Sequence, residues 1–260
     1  HKYEYCDLLI TGSGPSGLAS AYAAAKNGAR VILAEDKPRF GGSLLTSDVN
    51  IGNQTGVEWT EKIIAELKSM PNVTVKNRSQ VFGYYDHNML VMSERISDHL
   101  PKTQKYLPKQ RLWYIRANEV LISSGSIERP LVFGNNDTPG VMLSSAAKEY
   151  MKVYGVLVGK KPLIFTNNDS GYETAIEFKK NGVNPIILDT RSNPSSDIIT
   201  EAKNLNIEIR FSYVVVAAKG YKKVKSADIA KISDDKKELF NIENIECDCI
   251  CVSGFWTPSI

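Results

Sequence analysis

Asp7-Leu8-Leu9-Ile10-Thr11-Gly12-Ser13-Gly14-Pro15-Ser16-Gly17 is the stretch on which the fold turns. Asp7 to Thr11 predicts a buried strand. In the segment that follows, Leu18, Ala21, Tyr22 and Ala25 fall at i, i+3, i+4 and i+7, one face of a helix. Gly28, just after Asn27, supplies its stop. Val31-Ile32-Leu33-Ala34 predicts a second buried strand, ending at Glu35. A lone G-x-G-x-x-G says little. Here a strand precedes it, a helix and a second strand follow, and an acid stands 18 residues past Gly17. That is the dinucleotide-binding fingerprint. Gly12 permits the tight turn, Gly14 lets a pyrophosphate approach the backbone, and Gly17 lets helix and strand pack closely. Pro15 and Ser16 open the helix, whose free N–H groups and positive dipole end face the phosphates. Glu35 is placed to accept the hydroxyls of a ribose.

Composition narrows the class. The chain has 260 residues, 42% apolar and 23% charged, as in ordinary globular proteins, with room for one or two domains. No apolar run is long enough to span a bilayer and no secretory signal opens the chain, so a cytoplasmic protein without membrane contact is expected. A net charge of +3, with its lysine clusters interleaved by acids, argues against a nucleic-acid partner. Cys247, Cys249 and Cys251 alternate along one predicted strand and so are expected on one face. With no His nearby in sequence they make a poor metal site, and small apolar residues of a reduced core are expected, with no metal.

Further along, residues 56–69 predict an amphipathic helix and Val73–Lys76 a strand. A hairpin (80–85 and 89–95) and an antiparallel strand (111–117) follow, so a β-meander is expected at about 73–117. Gly41-Gly42 lies where the chain must pass close to a cofactor or to the first helix, and the Ser43 hydroxyl suits a phosphate. Glu119 to Gly125 predicts another strand whose small C-terminal residues, Gly125 among them, fit a ligand crevice. His87 and His99 fall at a hairpin tip and in a loop, and no residue stands out as catalytic. Residues 162–189 repeat the opening strand–helix–strand, but Asn167, Asp169 and Tyr172 stand where the three glycines stood. A second Rossmann-like unit is therefore expected, with a damaged phosphate turn. Asp169 sets a carboxylate where a pyrophosphate would lie and Tyr172 blocks close packing, so that site is read as empty of dinucleotide or rebuilt. Cys247 to Gly254 predicts a last buried strand, after which a helix is expected. The chain instead stops soon after Trp256-Thr257-Pro258, as expected of a piece of a longer protein. The expected fold class is α/β, two Rossmann-like dinucleotide-binding units with a β-meander inserted in the first. Expected boundaries are 1–155 with 247–260 for the first unit and 156–246 for the second, degenerate one.

Several stretches resemble the α subunit of heterotetrameric sarcosine oxidases, within the two-dinucleotide FAD/NAD(P)-binding flavoprotein architecture. They are the fingerprint at 12–17, Phe40-Gly41-Gly42-Ser43-Leu44, Val81-Phe82-Gly83-Tyr84-Tyr85-Asp86 and the run from Ser124 to Phe133. Asn135-Asn136-Asp137-Thr138-Pro139-Gly140-Val141-Met142 and Phe165-Thr166-Asn167-Asn168-Asp169-Ser170 add to them and are more specific than the fingerprint. The resemblance implies NAD held noncovalently in the first site, with Ser16 at the phosphate turn. Glu35, Asp36 and Lys37 would surround the adenosine ribose, Ser43 the pyrophosphate and Val81 the adenine. It implies partner β, γ and δ subunits, with FAD and FMN carried by the partner, and sarcosine oxidatively demethylated at the partner's flavin. The products are glycine, hydrogen peroxide and formaldehyde or methylenetetrahydrofolate, the one-carbon unit passing to tetrahydrofolate in a further domain that this sequence lacks.

The fingerprint itself serves NAD and FAD alike. Gly254 is followed by Phe255-Trp256, not by the acid that usually holds a flavin's ribityl-phosphate end, and no redox cysteine pair is present. Both features favour NAD, and Glu35 and Asp36 disfavour a 2′-phosphate, an effect softened by Lys37 and Arg39. A stand-alone FAD-dependent pyridine-nucleotide oxidoreductase and a non-catalytic scaffold with structural NAD are the alternatives.

Overall fold

The computed structural model describes residues 1–102 and 105–260 and divides them into two units. The first comprises His1–Gly125 and Pro258–Ile260, the second Ser126–Thr257.

In the first unit the chain runs through β1 (Lys2–Thr11), α1 (Pro15–Lys26), β2 (Val31–Ala34), the short pair β3 (Asn50–Ile51) and β4 (Gln54–Thr55), α2 (Gly56–Ser69), β5 (Val73–Lys76), β6 (Ser79–Tyr85), β7 (Met89–Arg95) and β8 (Gln110–Ile122). One sheet has the order β5-β2-β1-β8-β7-β6. Its first four strands are mutually parallel, and β7 and β6 turn back antiparallel. Alternation of side chains along the strands divides the core by face. Ile10, Val31 and Leu33 pack with Leu18, Ala21 and Ala25 of α1 and Ile63, Ile64 and Leu67 of α2. Cys6, Leu9, Ile32 and Ala34 pack with Leu90, Met92, Trp113 and Ile115. α2 starts on a reciprocal capping box: the Glu58 N–H donates to the Thr55 hydroxyl (3.2 Å) and the Glu58 carboxylate accepts the Thr55 N–H (2.8 Å).

The second unit contains β9 (Ser126–Arg129), β10 (Val141–Leu143), α3 (Ser144–Tyr154), β11 (Pro162–Thr166), α4 (Ser170–Lys180), β12 (Ile186–Asp189), α5 (Asp197–Asn204), β13 (Glu208–Phe211), β14 (Tyr213–Lys219), β15 (Ser226–Ile232), β16 (Leu239–Glu246), β17 (Cys249–Ser253) and β18 (Phe255–Pro258). A parallel sheet β10-β17-β11-β12-β13 carries the three helices on one face and the antiparallel sheet β14-β15-β16 on the other. Ile164, Ile187, Cys249 and Cys251 point to the helices, and Leu163, Phe165, Leu188, Ile250 and Val252 to the antiparallel sheet.

Several expectations are corrected here. Residues 126–155 and 247–257 belong to the second unit, because β17 hydrogen-bonds to β10 and β11. β5 is no part of the meander, since it lies parallel to β2. The two strands expected at 111–117 and 119–125 are one strand, β8, parallel to β1 from Trp113 to Ile122 and antiparallel to β7 over its first half. Cys247 precedes β17 and packs with the opposite cluster from Cys249 and Cys251, so the three do not share a face. Tyr172 does not block packing of α4. Gly171, one residue earlier, makes the close approach, where an added Cβ would lie 2.7 Å from Thr166. In place of the expected helix, Phe255–Pro258 forms a strand beside β9. Among the described residues no helix is long and apolar enough to cross a membrane, and no group of His, Cys, Asp and Glu is arranged to hold a metal.

Thr55→Ala removes half the capping box and is expected to cost about 1 kcal/mol, or about 2–4 °C in melting temperature for a chain of this size. Calorimetry of the full protein checks this, and an unchanged transition would mean that packing alone holds the start of α2.

Candidate dinucleotide site

The site is built at the C-terminal ends of β1 and β2. Gly12 has φ +98°, and a Cβ there would come within 2.3 Å of the Ser123 carbonyl oxygen. Gly17 is as constrained, since its Cβ would lie 2.0 Å from the Gly12 carbonyl oxygen. The Ser123 hydroxyl closes the cluster, donating to the carbonyls of Thr11 and Gly12 (2.9 Å each). Gly14 differs: a Cβ there would meet no protein atom within 4 Å. Its glycine therefore answers no need of the chain itself and leaves a cradle above the helix start. α1 has no side-chain cap and no acidic residue in its first turn, and Pro15 removes one N–H at its start. Its remaining N-terminal N–H groups and dipole are left for an anion. Exposed Ser16 stands in that first turn.

Glu35 is 6% exposed. Its Oε2 accepts the Ser13 N–H (2.9 Å) and the Ser13 hydroxyl (2.5 Å), and its Oε1 accepts the Lys37 N–H (3.0 Å). Ser13 in turn takes the Gly41 N–H on its carbonyl (3.1 Å) and on its hydroxyl (3.2 Å). This seats the next loop, where Gly42 (φ +53°) lies so close that its Cβ would be 2.9 Å from the Gly14 Cα. The fingerprint turn, the acid after β2 and the Gly41-Gly42 loop are thus one hydrogen-bonded assembly, with the Ser43 side chain exposed beside it. Burial, then the neighbouring Asp36 carboxyl, push the Glu35 pKa up against the opposing Ser13 and Lys37 donors. Asp36 is exposed.

The segment around Asp36 and Lys37 is held by the β5–β6 connection. The Ser79 N–H donates to the Glu35 carbonyl (2.8 Å), the Arg78 N–H to the Lys37 carbonyl (3.1 Å) and the Asn77 side chain to the Pro38 carbonyl (2.7 Å). An Arg95 Nη2 donor meets the Asp36 carbonyl. Val81, two residues along β6 from Ser79, is half-buried against the Cys6–Leu9 cluster, next to a bulge in the β6–β7 pair. Gly125 (φ +74°) lies just past Ser123, and its carbonyl accepts the Ser259 N–H (3.0 Å). The structure therefore joins Gly12, Gly14, Gly17, Glu35 and Gly42 by close approach or hydrogen bond, with Pro15, Ser16 and Ser43 exposed next to them in the chain. It ties Asp36 and Lys37 to them through the backbone, whereas for Val81 and Gly125 no bond to the turn is seen. Sequence reasoning missed Ser13, Arg95 and Ser123. Only Ser13 carried a signal, lying inside the fingerprint.

All four cysteines are free thiols. Burial, the largest cause, pushes Cys6 and Cys247 up to about 12, and Cys251 is raised by Cys249 and by burial, so none of these three is poised as a thiolate. His87 sits exposed at its hairpin turn, and His99 is exposed too.

A native-state pKa above that of the unfolded chain means that the folded protein holds the Glu35 proton more tightly. Stability conferred by this group is then greatest below the usual carboxylate range and falls as pH rises through the shifted pKa. Glu35→Gln removes the titration. The stability of the parent minus that of the variant, from urea unfolding at a series of pH values, is expected to decline across that window and level off above it. A flat difference would show an unshifted carboxyl.

Known proteins place this geometry. A family model described as FAD dependent oxidoreductase matches residues 7–96. The sarcosine oxidase α subunit of Rhizobium meliloti (strain 1021) is 38% identical over 260 residues, 100% of this chain and 25% of that protein. That of Corynebacterium sp. (strain P-1) is 33% identical over 264 residues, 100% of this chain and 27% of that protein. The chain thus spans about a quarter of the length of these relatives. Thioredoxin reductase of T. acidophilum shares the fold, with a TM-score of 0.72 at 17% identity over 98% of this chain and 78% of that one. Over the quarter of their length that it spans, the chain is similar from end to end to sarcosine oxidase α subunits, and it has an α/β FAD/NAD(P)-binding fold.

Proposed function

We propose that the first unit holds NAD noncovalently as the dinucleotide of an α-type subunit in a sarcosine-oxidase-like complex. The observation that carries a dinucleotide here is the uncapped start of α1 beneath the vacant Cβ position of Gly14. The residues fit the group. Gly12, Gly14, Ser16 and the first N–H groups of α1 would receive the pyrophosphate, with Ser43 beside it. Glu35 already spends lone pairs on Ser13 and Lys37 and is buried, so the ribose hydroxyls fall to exposed Asp36. NAD over FAD rests on the resemblance to the α subunits, because Phe255-Trp256, which the sequence alone set against a flavin, follow the last parallel strand of the second unit. Two adjacent acids, Glu35 and Asp36, disfavour a 2′-phosphate.

A bound NAD supplies a hydride-accepting ring, but the buried cysteines and exposed histidines of this chain offer no partner for it, so we read the NAD as structural. In this proposal oxidative demethylation of sarcosine proceeds on FAD and FMN of a partner β subunit, with γ and δ subunits completing the complex. The one-carbon unit passes to tetrahydrofolate in a further domain. Free buried thiols suit a reducing, cytoplasmic compartment. A second reading, a stand-alone FAD enzyme, is favoured by the flavin-dependent description of the family model over residues 7–96.

Acid release from the separated full-length subunit, followed by mass spectrometry, is expected to yield NAD with no visible flavin absorbance from this chain. Released FAD would establish the second reading. Asp36→Asn is expected to weaken NAD by about tenfold or more, the loss of one charged hydrogen-bond acceptor, and Glu35→Gln by less. The reverse order in calorimetric titrations would return the ribose to Glu35.

A further inference from the structure

β11, α4 and β12 repeat the strand–turn–helix–strand of the first unit, yet the places a dinucleotide phosphate would use are filled by the unit's own atoms. At the turn the Asn168 side chain does what a ligand would do. Its Oδ1 accepts the Ser170 N–H at 2.9 Å, a donor at the start of α4, and lies 3.3 Å from the Ser253 hydroxyl that donates to it. Its Nδ2 donates to the Ser253 carbonyl (3.2 Å) and to Asn167 Oδ1 (3.0 Å). Trp256, on β18, donates its indole N–H to the Ser170 hydroxyl at 2.9 Å, bringing a bulky ring to the first residue of the helix. Asp169, the residue aligned with Gly14, has its Oδ1 2.8 Å from Arg191 Nη2, an ion pair without hydrogen-bond alignment. The directed bonds of Arg191 go instead to Asp189, which is fully buried: Nε at 3.0 and 3.1 Å and Nη2 at 2.8 Å. Asp189 also accepts the hydroxyl of buried Tyr172 at 2.7 Å. Two carboxylates against one guanidinium leave this corner negative, the wrong sign for a pyrophosphate.

We infer that the second unit is a dinucleotide fold closed from within. Asn168 and Trp256 occupy the start of α4, and Arg191 serves as a built-in cation for Asp189 and Asp169, so no pyridine nucleotide binds there. Each part has a counterpart left open in the first unit. α1 is uncapped where α4 is met by Asn168, Gly14 offers space where Asp169 offers charge, and the first strand pair ends on Thr11 and apolar Ala34 where the second ends on Thr166 and an ion-paired Asp189. The closure is independent of whether the first unit takes NAD or FAD.

The experiment counts nucleotide on the full-length protein. Gly14→Asp disables the first site while leaving the fold intact, because Gly14 has φ −66° and open space at its Cβ position. Equilibrium dialysis of this variant with labelled NADH and NADPH is expected to show no bound nucleotide up to about 1 mM, a limit weaker than functional cofactor binding. About one NADH or NADPH retained per Gly14→Asp chain would overturn the closure. A parent that itself releases no dinucleotide would sink the first-site reading and leave the closure standing. Arg191→Met, which strands two carboxylates, is expected to lower the melting temperature with no change in the nucleotide count of the parent. A fall in that count with the fold retained would mark Arg191 as a phosphate ligand and overturn the proposal.

Discussion

The close approach of three chain segments, the 11–13 turn, the start of α1 and the end of β8, is the constraint from which the first unit follows. Gly12 and Gly17 are glycines because carbonyl oxygens occupy the places their side chains would take. Ser123 holds the junction by bonding two successive carbonyls of the turn. With the helix pinned so near the strand, Leu18, Ala21 and Ala25 are driven under the sheet. The first N–H groups of α1 are left pointing away from the core. A helix start normally demands capping partners, and here the chain supplies none, while it caps α2 with a full box. The contrast within one unit marks the open end of α1 as a functional feature of the sequence, not an oversight of folding.

Glu35 ties this junction to the rest of the site. A buried carboxylate is costly unless its lone pairs are used, and three donors use them. The acid that the fingerprint places for a ribose thereby clasps the phosphate turn, and through Ser13 it seats the Gly41-Gly42 loop against Gly14. Its exposed neighbour is the one left to face a ligand. The β5–β6 connection and Arg95 then hold the backbone of 35–38 from the far side. This gives the antiparallel strands a role at the site although they contribute few side chains to it.

Short-range patterns were enough to read α2, β5 and the β6–β7 hairpin at or within a residue of their ends. They also identified every glycine of the fingerprint. Pairing between distant strands was not legible. β8 reads as two strands because Asn118-Glu119 interrupts its apolar run, yet β1 hydrogen-bonds to it across that break. β17 resembles the end of β8 in sequence, and only its ladder with β10 and β11 shows which sheet it completes. Cys247 escaped the alternation rule because it lies before its strand begins. Tyr172 was misjudged for a related reason. The close contact moved one residue to Gly171, a shift that conserves packing while breaking the glycine spacing.

The two units show that one backbone path can serve opposite ends. Both place a helix start at the edge of a parallel sheet, and both must satisfy its unpaired donors. The first leaves that work to a ligand, so any dinucleotide bound there stabilises the folded unit by mass action, by about 2.7 kcal/mol at a hundred times its dissociation constant. The second meets the Ser170 N–H with Asn168, to which Ser253 donates, covers Ser170 with Trp256, and balances its own carboxylates with Arg191. Its stability then owes nothing to nucleotide. Substituting the glycines of a phosphate turn is usually read as decay of a binding site. Here the side chains at the glycine positions meet partners within the same unit, Asn167 with Asn168, Asp169 with Arg191 and Tyr172 with Asp189, and Asn168 accepts the Ser170 N–H at the helix start. The change is better described as an exchange of a bound anion for an internal network that leaves the sheet and helices in place.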